Sequence, residues 1–151
     1  MDSARAKLCI GRPVQLFLKH ACPNGTRLYP ADGLGWHRFE LAFDNGAIGA
    51  NVEFDTWLTS FQAFRDELIS LDRHVKGKAT LSTTECDFRL EGEADKLGHI
   101  TWNARVRHPG PIPEAILEFW LRDDQTSRGA IIAQVELLIA EGLEEPSPPS
   151  A

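Results

Sequence analysis

Little in this sequence announces a chemistry. Cysteine occurs three times, at Cys9, Cys22 and Cys86, an odd and small number that offers no disulfide framework. There is no glycine-rich phosphate loop, Gly-x-Ser-x-Gly elbow, His-Glu-x-x-His or Cys-x-x-Cys, so the familiar nucleotide-binding, hydrolase and metalloprotease signatures are missing. No run approaches the roughly 20 apolar residues that cross a bilayer. The richest window, Ala130 to Ala140, is broken by Gln134 and Glu136. A basic start followed by an apolar stretch is also lacking. The chain therefore reads as a reduced cytoplasmic protein with no membrane partner. Bases are in the minority, 16 against 22 acids for a net charge of −6, which argues against a nucleic-acid partner.

What is present suits one folded domain. A chain of 151 residues with 42% hydrophobic content can fill a core unaided. Residues 1–144 are expected to form this domain, and the Pro/Ser tail at 145–151 to be disordered. Charge is uneven along the chain. Residues 1–35 carry five bases against two acids, residues 36–124 ten against sixteen, and the remainder Arg128 against four glutamates. A cationic partner is electrostatically easier for the main body than a polyanion.

Periodicity supplies the elements. Lys7 to Ile10 and Val14 to Leu18 read as extended, and the Pro, Asn, Asp and Gly of Cys22 to Gly35 as a long loop. From Trp36, Phe39, Leu41 and Phe43 alternate with polar neighbours, Asp44-Asn45-Gly46 turns the chain, and Ile48, Ala50, Val52 and Phe54 continue the alternation. That pattern is a hairpin. At Thr59 the period changes, since Phe61, Phe64, Leu68, Leu71 and Val75 recur at three and four, a helical stripe that Thr59 and Gln62 would cap. Further strands are expected over Ala79 to Ser82 with Cys86 to Leu90, then His99 to Arg107 and Ala115 to Arg122. Their inward residues would include Phe88, Leu90, Ile100, Trp102, Ala104, Val106, Leu117, Phe119 and Leu121. Asp124, Thr126 or Ser127 would then cap a last helix with Ile131, Val135, Leu138 and Ile139 on its apolar face, although Ile131-Ile132 also permits a strand. The expected class is α+β: a mostly antiparallel sheet of about six to eight strands with a central and a C-terminal helix.

Candidate sites are sparse. His20-Ala21-Cys22 could offer two ligands to a metal, but no second pair accompanies it, so no metal and no cofactor is expected. Asp95 near His99, and Asp123-Asp124, could enter acid–base work; turn and cap roles explain them more simply. The tryptophans are harder to explain. Trp36, Trp57 and Trp120 each fall in the polar phase of their strand, and Trp120 stands between Glu118 and Arg122 with Ile116 further back. Indoles among charges are what interface centres favour, and a helix laid over that face would bury them instead.

The order Trp57-Leu58-Thr59-Ser60-Phe61-Gln62-Ala63-Phe64, then Gly77 to Leu81, Gly98-His99-Ile100 and Phe119 to Thr126, resembles that of immunity proteins of wall-associated, contact-dependent toxin systems and their uncharacterised relatives. The resemblance spans about Phe39 to Leu138. It implies a non-enzymatic protein that silences a cognate toxin domain, and it carries over no catalytic residue. The expected function is accordingly protein binding, with Trp36, Glu114, Ile116, Glu118 and Trp120 as contacts. Two rivals are a small enzyme or ligand-binding protein using the Pro23 to Gly35 loop over His37, His99 and Asp124, and a structural homodimer joined through the tryptophan face.

Overall fold

The computed structural model describes residues 6–21, 27–29, 36–74, 76–83, 87–108 and 114–143, with the side chains of 27–29 and 36 left aside. Among the described residues nine strands and two helices follow in the order β1 (Lys7–Ile10), β2 (Leu16–His20), β3 (Arg27–Tyr29), β4 (Trp36–Asp44), β5 (Gly49–Trp57), α1 (Leu58–His74), β6 (Lys78–Ser82), β7 (Phe88–Ala94), β8 (Ile100–His108), β9 (Ala115–Asp123) and α2 (Arg128–Leu143). One 3-10 turn, Gln125–Ser127, leads into α2. The chain is thus an α+β protein with a central and a C-terminal helix. The two groups of strands that flank α1 form two antiparallel sheets, β1-β2-β4-β5 with the three-residue β3 beside β4, and the meander β6-β7-β8-β9.

Alternation dictates how the sheets meet. In β4, Phe39, Leu41 and Phe43 are buried; in β8, Ile100, Trp102, Ala104 and Val106; in β9, Phe119 and Leu121. These inner faces pack through aromatic pairs: Phe43 stacks on Phe119 with centroids 3.8 Å apart, and Phe54 on Phe88 at 5.3 Å. Helix α1 enters the same core, setting Phe61 against Phe39 at 4.5 Å and Phe64 edge-on to Trp102 at 6.1 Å. Such geometries add to simple burial. The α1 stripe Leu58, Phe61, Phe64, Leu68 and Leu71 is buried as its spacing predicts, while Val75 lies outside the described residues.

Local signals place most boundaries. The β4–β5 hairpin closes through Asn45 N–H to the Ile48 carbonyl at 3.1 Å, with Gly46 at φ +93°. That backbone conformation favours glycine. Helix α1 starts at Leu58, so Thr59 lies inside its first turn and does not stand at the capping position the sequence suggested. Asp124 does cap the C-terminal turn, accepting from Thr126 N–H at 2.9 Å, and α2 resolves the ambiguity at Ile131-Ile132 in favour of helix. The short β3 falls within the segment read as loop, and Cys22, Cys86 and residues 144–151 lie outside the described residues. Among the described residues no helix is long and apolar enough to cross a membrane.

One buried carboxylate ties the sheets together. Asp123, 5% exposed, ends β9 in the inward phase and accepts through Oδ2 from Trp102 Nε1–H and from Gly11 N–H, each at 2.9 Å. Beside it, Arg12 N–H donates to the Arg122 carbonyl at 2.9 Å. Gly11 adopts φ +100°, and a Cβ there would stand 2.6 Å from the Val14 carbonyl oxygen and 3.1 Å from Leu121. Only glycine lets the β1–β2 turn approach β9 this closely.

Candidate docking face on the second sheet

Neither helix covers Trp120, which is 63% exposed, and Ile116 on the same strand is 51% exposed. Their position follows from period two: Phe119 and Leu121 take the core side of β9, which leaves Glu118, Trp120 and Arg122 outward. Register then assembles the face in rows. Glu91, Asn103 and Trp120 lie across β7, β8 and β9; Glu93, Thr101 and Arg122 form the next row, and Arg89, Arg105 and Glu118 the one on the other side. A shallow hollow of about 330 Å³ opens among Glu91, Glu93, Thr101, Asn103, Glu118 and Trp120.

The charges on this face differ in how far they are already engaged. Glu91 receives Arg89 at 2.8 Å and Lys78 at 3.5 Å, and Lys78 also reaches Glu93 at 4.0 Å. Glu114 is held by Arg107. Glu118 forms no ion pair with any described residue, although Arg105 sits across from it in register. The Nδ2 of Asn103 has no hydrogen-bond partner among the described residues. Exposed pairs of this kind contribute little stability, so the face is not rigidly self-satisfied.

Of the five expected contact residues, Glu114 directly precedes β9 and Ile116, Glu118 and Trp120 lie on it. Trp36 does not join them. It opens β4 in the other sheet, in register with Trp57, and its side chain is outside the description. His37, His99 and Asp124 are each held locally. His37 is buried on β4, its ring 5.7 Å from that of His20. His99 sits at the β7–β8 turn with its Nδ1 3.5 Å from Asp95, and Asp124 caps the C-terminal turn, where hydrogen bonds from Thr126 hold its carboxyl below the usual range. No group of three His, Cys, Asp or Glu among the described residues is placed to hold a metal ion. Cys9 is half-buried, and burial pushes its thiol up, the opposite of what activates a cysteine nucleophile.

Two buried polar groups carry more structural weight than the sequence reading gave them. His20, 1% exposed, donates from Nε2 to the Leu138 carbonyl of α2 at 2.9 Å, and its Nδ1 has no partner among the described residues. Burial therefore lowers its pKa. Asp123 is raised for the same reason, although Gly11 and Trp102 favour its ionised form. Their phase was the available signal: His20 follows Leu16 and Leu18, and Asp123 follows Phe119 and Leu121, each on the inward side.

Another sizeable hollow, about 770 Å³, opens on the first sheet among Val14, Phe17, Ala42, Phe43 and Asn51 with their neighbours. It gathers few polar groups and no titratable pair.

No protein-family model matches the chain, and the search of curated proteins gives no match. Among solved structures, that of the plant transcriptional regulator PBF-2 is similar in fold, with a TM-score of 0.55 over 95% of this chain and 85% of the other at 11% sequence identity.

Proposed function

We propose that this chain is a non-enzymatic, cytoplasmic protein-binding domain of the immunity type, which silences a cognate toxin domain by docking on it through the outer face of the second sheet. The exposed Trp120 carries this reading, standing with Ile116 on a sheet face that both helices leave open. Large exposed aromatics set among polar groups supply most of the energy in protein interfaces. The acidic balance of residues 36–124 and Glu118, which has no ion-pair partner among the described residues, favour a cationic partner surface.

The structural neighbour is a transcriptional regulator. A similar role exercised through nucleic acid would bring phosphates against Glu91, Glu93 and Glu118 around Trp120, which is electrostatically unfavourable. The protein partner is therefore the preferred reading.

The test is co-expression with the product of the gene beside this chain, which the proposal requires to be a growth-arresting toxin. Wild type is expected to restore growth, and Trp120→Ala and Glu118→Lys to reduce that protection while leaving the fold intact. Failure of wild type to protect, or equal protection by both variants, would reject the proposal. A stable dimer in solution that Trp120→Ala dissociates would move the face to self-association.

A further inference from the structure

We infer that the hollow beside Trp120 seats an arginine side chain from a basic segment of the protein partner, an inference that rests on the docking-face reading above. Its lining holds three carboxylates and no base. Glu91 and Glu93 are partly neutralised by Lys78 and Arg89, whereas Glu118 has no ion-pair partner among the described residues, with Arg105 across from it in register. Glu118 and Trp120 are two residues apart on one face of β9, a separation of about 7 Å along a strand. A guanidinium lying flat on the indole spans that distance to the carboxylate.

The choice of arginine follows from shape as much as charge. Guanidinium is planar, weakly hydrated and carries five N–H donors, so it stacks on an indole while donating sideways. Glu118, the Thr101 hydroxyl and the Asn103 side-chain oxygen are acceptors around the same hollow. The unpartnered Asn103 amide can turn toward a peptide carbonyl of the arriving segment. An ammonium group is a compact, strongly hydrated point charge that stacks less well and bridges fewer acceptors. A nucleotide could stack on Trp120 too, but its phosphate would meet the three carboxylates.

The experiment follows the indole Nε1–H resonance of Trp120 in the isotope-labelled full chain. Three short peptides of equal length carry two arginines, two lysines or two citrullines, and a short single-stranded oligonucleotide serves as a fourth probe. The arginine peptide is expected to shift the Trp120 signal saturably, the lysine peptide more weakly and the citrulline peptide not at all. Glu118→Gln is expected to weaken the arginine response about fivefold, the upper worth of one exposed charge pair, and added salt to weaken it further. An unmoved Trp120 signal, equal responses to arginine and citrulline, no effect of Glu118→Gln, or a response to the oligonucleotide alone would each overturn the inference. If co-expression still depends on Trp120 while the arginine peptide leaves its signal unmoved, the docking face stands and the arginine seat falls. If the peptide binds but protection ignores Trp120→Ala, the docking face itself is refuted.

Discussion

Replacing Asp123 by alanine removes the acceptor shared by two donors that bond to no other acceptor among the described residues. Gly11 N–H and Trp102 Nε1–H both end on Asp123 Oδ2 at 2.9 Å, and Trp102 is fully buried. An unsatisfied buried donor costs about 1–3 kcal/mol, so two would cost roughly 2–6 kcal/mol before any offset. The offset is the burial of the carboxylate, unfavourable enough to raise its pKa. Removing that charge recovers part of the loss, so the expected net destabilisation of Asp123→Ala is about 2–4 kcal/mol. For a chain of this size that lowers Tm by roughly 4–16 °C. Asp123→Asn keeps one oxygen for both donors and carries no charge, so it should stay within about 1 kcal/mol of wild type. Urea unfolding followed by tryptophan fluorescence measures both variants. Their pH dependence gives a separate check. The folded carboxyl holds its proton at higher pH than the unfolded one, whose pKa is near 3.8. Between these values the folded state binds more protons, and this group adds stability as pH falls through that window. Asp123→Asn should lose that contribution. Equal stability of the alanine and asparagine variants, or an alanine loss under about 1 kcal/mol, would show that the two donors do not depend on this acceptor.

Other perturbations have signs fixed by the same geometry. The folded pKa of His20 is depressed below its ordinary 6.5 by burial, so its stabilising neutral state is complete above that value and lost as pH falls through the folded pKa; equilibrium unfolding between pH 7.5 and 5 should show this slope in wild type and a smaller one in His20→Phe. In Gly92→Ala the new methyl would stand 2.4 Å from Trp102 Cζ3, and the overpacking should cost about 1–3 kcal/mol in the same assay. Trp120→Ala, at an exposed position, should leave stability within about 0.5 kcal/mol of wild type, which thermal unfolding checks before any binding loss is interpreted.

How much of this was legible in the sequence depended on whether one period dominated. Phe39, Leu41 and Phe43 alternate without interruption around an Asn-Gly turn, so the β4–β5 hairpin could be read directly. The α1 stripe was equally plain, but its first turn was not: Leu58 continues the strand's alternation and is nevertheless the first helical residue, because a residue at a junction satisfies both periods. The three residues of β3 are too few to establish any period, and they lie among turn formers. Division into two sheets was also hidden, since antiparallel pairing is decided by which edges meet across α1 and not by composition. At the site, Trp120 was visible through its wrong phase. Adjacency alone suggests His20 with Cys22 as metal ligands and Asp123 with Asp124 as a carboxylate pair, whereas the inward phase of His20 and Asp123 in their strands is what buries each of them.

Calorimetric titration of the purified chain with the product of the gene beside it tests the proposed docking face most directly. Trp120→Ala should raise Kd at least about 30-fold, the equivalent of a 2 kcal/mol interface anchor, while Glu53→Ala on the opposite sheet leaves it unchanged. An unaltered Kd for Trp120→Ala, with Glu53→Ala weakening the complex instead, would place the interface elsewhere on the molecule.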